Sequence, residues 1–423
     1  MSRTGRALGV LVKTFPKISE TFILAELLGL ERQGFDLTIF SLQRPTDAIS
    51  QPALARLRAR VVYVGDDAPT PGQRWSRRML SAVAAPVATA AACADVARPT
   101  NGLGIRDLDT ALALARALRA ADVTHLHAHF IDRTGAIGQM AARFAGIPCS
   151  LSAHAKDIYL TSPAALRRRL RRAQFTTTCT EYNRAALAAV APAGTSLHRI
   201  YHGIDTSRFQ AQPSPVVAQG PLQLLAVGRL RPKKGFATLV RACALLRDRG
   251  IDARCDIVGY GEQQPELEQL VEDLRLTGRV ALRGKMSHRE LIDVYAGAHV
   301  FVAPCEIAAD GDRDGIPNVL LEAMSMRLAV VTTPVSGIPE AVRNGCNGLL
   351  VPPADPASLA AALEVLARDP DKRQRLGREA RRSVLEQFGE ESNLQDLVGL
   401  LDDCVECGAH AHAAAVPGSA LHG

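Results

Sequence analysis

The stretch from Cys305 to Thr332, CEIAADGDRDGIPNVLLEAMSMRLAVVT, constrains this chain most. An apolar run, Val300-Phe301-Val302, leads into it, and a second, Val330-Val331-Thr332, leads out. Between them lie an acidic loop and a helix that starts near Pro317 and Asn318. Proline suits a first helical turn because its missing N–H would be unpaired there. Strand, loop, helix, strand is the unit from which parallel sheets are built.

Two carboxylates stand out in this unit, Asp314 in the loop and Glu322 on the helix. A helix rises about 1.5 Å per residue, which puts Glu322 roughly one turn inside. Both acids could line one crevice and accept hydrogen bonds from sugar hydroxyls. A solvated acidic loop, with a helix-start acid favoured by the helix dipole, accounts for the same spacing. Asp310-Gly311-Asp312-Arg313-Asp314-Gly315 also opens like a calcium-binding EF-hand loop. Its twelfth position should be a bidentate Glu and is Leu321, which argues against calcium.

The chain has 423 residues, enough for two domains of ordinary size. Hydrophobic residues make up 47%, which supports large cores. Aromatic residues make up 4%, with Trp75 alone of its kind, which argues against a base-stacking nucleic-acid binder. The net charge of +7 suits anionic partners such as phosphates or lipid headgroups. Nine scattered cysteines and the absence of a leader-like start suggest a reduced, cytoplasmic setting. Met79–Ala97 is Ala-rich and contains Pro86 and Asp95, so it reads as a surface-lying helical segment and not a membrane span.

Leu8–Val12 is a strand followed by a loop, and Ser19 is placed to cap a helix with Leu24, Leu27 and Leu28 on its apolar face. Leu37–Phe40 is the next strand, which completes the opening of a Rossmann-like layer. Loops at the carboxyl ends of parallel strands face ligands, so Lys13, Ser19 and Glu20 are candidates for contact with an acceptor. Ser19 serves equally as a plain helix cap. His125, His127 and His129 alternate along a strand and share one face. No cysteine or carboxylate cluster completes a metal site there, apart from nearby Asp132, so no metal is expected. His127 and His129 are placed at the lip of the ligand crevice. Arg167–Arg172 holds five arginines, either a solvated helix face or a surface for anionic lipid.

Gln210–Gly220, rich in Pro and Gln, reads as a linker. The second half restarts with the strand Leu222–Val227, which runs into Gly228-Arg229-Leu230-Arg231-Pro232-Lys233-Lys234-Gly235. Four cations in a glycine-bounded loop before a helix can clamp a diphosphate, with Arg making forked contacts and Lys acting as a point charge. A solvated basic turn is the plainer alternative. Gly259 and Gly261 form a tight turn at the next strand end, without the third glycine of a dinucleotide fingerprint. In the tail, Cys404, Cys407, His410 and His412 suit zinc by type, but their spacing does not match common structural sites.

GIPNVLLEAM with Asp314 and Glu322, VSGIPEAV, GLLVPPADP, GRLRPKKG and HGIDTSRF together resemble the retaining GT-B glycosyltransferases of family 4. FPKISETF and HAHF resemble its subgroup associated with bacterial exopolysaccharide and colanic acid. The family's first acid is usually Glu, where this chain has Asp314. The resemblance implies an α/β fold of two Rossmann-like, doubly wound parallel-sheet domains facing across a cleft, with a C-terminal helix crossing back to the first. The expected boundaries are 1–209 for an acceptor-binding domain, 210–220 for the linker, 221–387 for a nucleotide-sugar domain, 388–405 for the crossover helix and 406–423 for a disordered tail.

The same resemblance implies transfer of a sugar, with retained configuration, from a UDP- or GDP-linked donor to a glycan or polyprenyl-linked acceptor. It implies no cofactor and no catalytic metal. It assigns diphosphate contacts to Gly228, Arg229 and Lys234, with Gly259 and Gly261 nearby, and puts Arg283 beside the base. Asp314, Gly315 and Ile316 would hold donor-sugar hydroxyls. Pro317, Asn318 and Leu321 complete that lining, and Glu322 would hold the ribose. His154 would reach the donor sugar. The expected place is the cytoplasm, at the inner face of the membrane, with Arg167–Arg172 against anionic lipid. A nucleotide-sugar epimerase or phosphorylase on the same fold remains open, as does a non-catalytic nucleotide-binding partner subunit.

Overall fold

A computed structural model describes residues 6–17, 20–46, 52–65, 70–209 and 220–415. The apolar runs become strands of two sheets in which every pairing is parallel. The first sheet contains β1 (Ala7–Thr14), β2 (Asp36–Gln43), β3 (Arg60–Tyr63), β4 (His125–His129), β5 (Cys149–Ala153), β6 (Thr176–Thr178) and β7 (Leu197–Arg199). Their order is β3-β2-β1-β4-β5-β6-β7. The second contains β8 (Leu222–Val227), β9 (Ala253–Val258), β10 (Val280–Gly284), β11 (Val300–Ala303), β12 (Ala329–Thr332) and β13 (Leu349–Leu350), in the order β10-β9-β8-β11-β12-β13. Each order reverses between its first and fourth strands, the doubly wound pattern whose switch point receives ligands.

Two compact units contain these sheets. One comprises Met1–Cys179, Arg184–Ile200 and Glu391–Gly423, and the other Thr180–Asn183 and Tyr201–Glu390. Both central strands are apolar along their length because helices cover both sheet faces. Along β1, Leu8, Val10 and Val12 pack with Ile23 and Leu27, while Leu11 packs on the other side with Leu126 and Ala128. Along β8, Leu222, Leu224 and Ala226 take one face and Leu225 the other.

The last helix, Glu390–Ala415, belongs to the first unit from Glu391 onward. Leu394, Leu397, Val398, Leu401 and Cys404 recur at helical spacing and are buried with Leu8, Ile23 and Leu27. Gly29 lets this helix approach, since a Cβ there would lie 2.5 Å from Leu394 Cδ2. Leu401 is fully buried, so Leu401→Ala costs about 2–5 kcal/mol. The linker residues 210–219 lie outside the described residues, as do the side chains of Cys407, His410 and His412.

The Ala-rich segment is two helices, Pro71–Ala84 and Pro86–Val96. Pro86 starts the second and so ends the first, because it has no N–H to continue the ladder. Among the described residues, no helix is long and apolar enough to cross a membrane.

The arginine run forms the helix Pro163–Arg172, and it is less free than its composition suggests. Buried Arg169 donates to the carbonyls of Ile131 and Asn101, at 2.8 and 3.1 Å. Arg168 bonds Asn101 and Thr100, and Arg172 pairs with Asp95 at 2.5 Å. Three of the five arginines therefore serve the fold, and Arg167 and Arg171 remain exposed.

Candidate functional site

In the second unit β8 and β11 are neighbours, so the loops leaving their carboxyl ends meet at the switch point. The β8 loop carries Gly228 to Gly235, and the β11 loop carries Pro304 to Ile316. Backbone contact joins them: the Glu306 N–H donates to the Lys233 carbonyl at 2.9 Å. Gly235 sits at φ +65°, and a Cβ there would fall 1.9 Å from the Pro304 carbonyl oxygen, so only glycine permits this approach. Thr238 donates to Glu306 at 2.6 Å and closes the same seam.

Charge fills the junction. Lys233 Nζ lies 3.0 Å from Asp312 Oδ1 and 3.2 Å from Asp314 Oδ1, and Lys234 Nζ lies 2.5 Å from Asp314 Oδ2. Burial pushes the Asp314 carboxyl up, but the ammonium groups of Lys234 and Lys233 outweigh it and hold it below its ordinary range. Burial likewise pushes the Lys234 ammonium down, and Asp314, Cys305 and Asp312 together more than reverse this. Asp312 and Asp314 thus have lysine partners in this loop. Sequence reasoning found Lys234 and Asp314 but missed the bridging Lys233 and Asp312, which lie 79 residues apart.

Arg229 is aimed differently. Its guanidinium lies 5.7 Å from the centre of the Tyr260 ring, and its buried Nε has no hydrogen-bond partner. Lys285 Nζ lies 5.7 Å from the same ring centre, a second cation that the sequence did not single out. Gly259 and Gly261 support the loop from below. The Gly228 N–H donates to Val258 and the Leu230 N–H to Tyr260, each at 2.9 Å. A Cβ at Gly259 would fall 1.8 Å from the Gly228 carbonyl oxygen. These glycines act through the Gly228–Leu230 backbone. Arg283 is forked onto Asp256 at 2.8 and 3.2 Å, and that ion pair occupies its guanidinium.

The helix Asn318–Ser325 follows Pro317 and has no side-chain cap. The Leu320 N–H donates to the Pro317 carbonyl at 2.9 Å, and the rest of this uncapped first turn is suited to anions. Leu321 is buried in the core beneath. Glu322 is buried too, and Tyr295 donates to its Oε2 at 3.0 Å. Burial drives its carboxyl up to about 7, and the tyrosine hydrogen bond offsets only part of this. Tyr295 comes from the helix His288–Gly297, and no local spacing in the sequence links it to Glu322.

In the first unit the three histidines of β4 are fully buried, so His127 and His129 do not stand at a crevice lip. Alternation gave their common face correctly, but β4 is the fourth strand in an order of seven and carries helices over it. His125 Nε2 and His127 Nδ1 share the Ser150 hydroxyl at 2.7 Å each. Burial pushes His125 down to about 3 and His127 to about 4, so both are neutral near pH 7.

His129 Nε2 lies 3.1 Å from Glu26 Oε1, on the helix Thr21–Arg32. The carboxylate near these histidines is therefore Glu26. Asp132 instead caps the helix Arg133–Ala145 through the Thr134 N–H. Glu26, His127 and His129 offer ligand atoms within 4.8 Å of one another, so they form one group among the described residues that could hold a cation.

His154 follows β5, with its ring stacked 5.9 Å from His129 and tilted against Phe22 and Phe130 at 5.0 and 4.9 Å. Its backbone N–H donates to Asp157 at 2.9 Å. Lys13 is exposed at the end of β1, and Lys17 pairs with Glu20. The first helix starts after Glu20, and Ser19 lies outside the described residues.

Two family profiles divide the chain between them. One described as Glycosyltransferase Family 4 matches residues 19–208, and one described as Glycosyl transferases group 1 matches residues 207–383. WcaL of Escherichia coli K12, described for colanic acid biosynthesis, is 35% identical over 200 residues, 47% of this chain and 49% of WcaL. The amylovoran biosynthesis glycosyltransferase AmsK of Erwinia amylovora is 37% identical over 161 residues, 38% of this chain and 39% of AmsK. The matched part thus spans about half the length of these curated relatives or less.

Among solved structures, Anabaena HepE in complex with UDP and glucose superposes with a TM-score of 0.71 at 18% identity, covering 94% of this chain and 99% of that one. Sucrose-phosphate synthase from Thermosynechococcus elongatus gives 0.73 at 18% identity, covering 95% and 100%. The fold is the GT-B arrangement of two parallel-sheet α/β domains. With one half matching each profile, this chain belongs to the GT-B glycosyltransferases of family 4 and group 1.

Proposed function

We propose that this chain moves a sugar from a nucleotide-diphosphate donor to an acceptor hydroxyl with retention at the anomeric carbon. The observation that carries this is the junction of the β8 and β11 loops, where Lys234 and Lys233 meet Asp314 ahead of an uncapped helix start, with Arg229 of the same β8 loop directed at Tyr260. The bond from the anomeric carbon to the diphosphate oxygen breaks, so negative charge grows on the leaving group. Fixed cations and N–H groups stabilise that charge most when they are already in place.

Arg229, with its Nε unpartnered, receives the diphosphate. Lys234 turns to it from Asp314, which then accepts donor-sugar hydroxyls. The N–H groups of Gly315 and Ile316 share the charge, and Glu322 accepts ribose hydroxyls. His154 is the candidate for the donor-sugar contact that the family resemblance implies. The acceptor hydroxyl attacks from the face the leaving group vacates and passes its proton to the departing phosphate oxygen. No protein nucleophile is required.

The donor is assigned to residues 221–387 and the acceptor to the first unit, where Lys13 and Glu20 are the remaining candidates. The relatives named for colanic acid and amylovoran favour a growing exopolysaccharide or polyprenyl-linked glycan as acceptor. UDP in the HepE structure makes a UDP-sugar the first donor to try, with GDP-sugars second. Such an acceptor places the enzyme at the inner face of the membrane, with Arg167 and Arg171 as the cations available to lipid.

The test is incubation of purified protein with UDP- and GDP-sugars and a polyprenyl-diphosphate glycan, with the product anomer read by NMR. A retained anomer formed only with acceptor supports the reading. Donor isomerisation without acceptor, or a requirement for inorganic phosphate, refutes it.

A further inference from the structure

The helix Pro71–Ala84 is turned the wrong way round for a helix that only serves its own fold. A surface helix normally lays its apolar stripe on the core. Here Trp75, Met79 and Val83 recur every four residues with Leu80 beside them, and all four face solvent. Trp75 is 65% exposed, Leu80 70% and Val83 81%, and Val87 at the start of the next helix is also 81% exposed. The half-buried positions are Arg74, Arg77, Arg78, Ser81 and Ala82, all but one of them polar. Arg78 pins this polar face to the protein through a fork to Asp109, 2.7 Å at each prong. Thr70 and Gln73 close a capping box at the helix start, so the orientation is fixed at both an end and a side.

We infer that this outward apolar stripe is a docking surface for an anionic phospholipid bilayer. Its composition is that of interfacial helices, with Trp and Leu on the apolar side, Arg on the other and no carboxylate on the helix. The surroundings supply charge. The next helix, Pro86–Val96, holds Asp95, which pairs with Arg172, and the turn after it holds Asn101, which bonds Arg168. The exposed Arg167 and Arg171 therefore sit on a helix tied directly to this apolar pair. A second copy would bring like charge to this surface, in a chain of net charge +7. An anionic surface satisfies stripe and charge together. The inference deepens the membrane placement proposed above and is independent of the sugar-transfer chemistry.

Trp75 is the only tryptophan, so its fluorescence reports this helix alone. The experiment titrates the full chain with phosphatidylglycerol–phosphatidylcholine vesicles and with phosphatidylcholine vesicles, following Trp75 emission and co-sedimentation. The expected result is a blue shift and co-sedimentation with the anionic vesicles. The exposed Leu80→Gln/Val83→Gln pair, folded by circular dichroism, should bind at least about tenfold more weakly.

Co-sedimentation with no Trp75 shift, unchanged in the double variant, assigns lipid contact to Arg167 and Arg171 alone and overturns the inference while the membrane placement survives. Failure to bind either vesicle overturns both. A blue shift that grows with protein concentration in the absence of lipid, with doubling of the mass, gives the stripe to a second copy and also overturns the inference.

Discussion

Lys234 Nζ and Asp314 Oδ2 lie 2.5 Å apart, on loops that leave adjacent strands of the second sheet. The pair couples two tasks. It neutralises charge between the two loops, and in the proposed function it holds the lysine where a diphosphate would take it over. Removing one partner leaves a mostly buried charge, which costs more than the pair is worth.

Lys234→Ala should therefore lower both turnover and stability. Lys233 still lies 3.2 Å from Asp314, so the stability loss should be modest, about 1–3 kcal/mol. Lys234→Ala/Asp314→Ala should recover part of that stability and none of the turnover. Urea unfolding beside initial rates separates the two effects. Recovered turnover in the double variant would remove Lys234 from the mechanism.

Glu322 should make stability fall with pH. Its carboxyl titrates at about 7 in the folded chain, above its ordinary value of 4.5. The folded state then holds the proton longer than the unfolded state. Its contribution is fully present below pH 4.5 and is lost as pH rises through about 7, on the order of 3 kcal/mol in all. Glu322→Gln should flatten that slope and weaken nucleotide binding by about 1.5–3 kcal/mol. Unfolding at about pH 5 and about pH 8 checks the first effect, and titration calorimetry the second. An unchanged slope in the variant would mean that Glu322 is not the group responsible.

Gly235→Ala should damage the loop directly. The new Cβ would meet the Pro304 carbonyl at 1.9 Å, at a φ of +65°. A loss of about 2 kcal/mol or more is expected, with a lower melting temperature and weaker donor binding. A variant as stable as the parent would show that the two loops are not in the contact described.

Much of this site was legible in the sequence. The Val300–Thr332 unit announced its parallel strands, and GRLRPKKG announced its cations, because both are local patterns. Tyr295 was not legible: it meets Glu322 only because two helices pack together. Glu26 and His129 are a similar case, on a helix and a strand that are far apart in the chain. Alternation placed His127 and His129 on one face but could not show that this face is covered. The arginine run showed its charge but not its partners, since Asp95 and Asn101 come from segments far along the chain. Local periodicity gives direction, whereas depth and partners come from tertiary packing.

The most direct measurement is calorimetric binding of UDP, GDP, ADP and CDP to the wild-type chain and to Arg229→Ala. Arg229 Nε is buried and has no hydrogen-bond partner, so it should supply affinity without first breaking a hydrogen bond at that atom. The account predicts selective binding of one diphosphate, with UDP first in expectation, weakened by about 1.5–3 kcal/mol in the variant. Equal binding to wild type and variant, or binding of none of the four, would contradict the claim that this junction holds a nucleotide diphosphate.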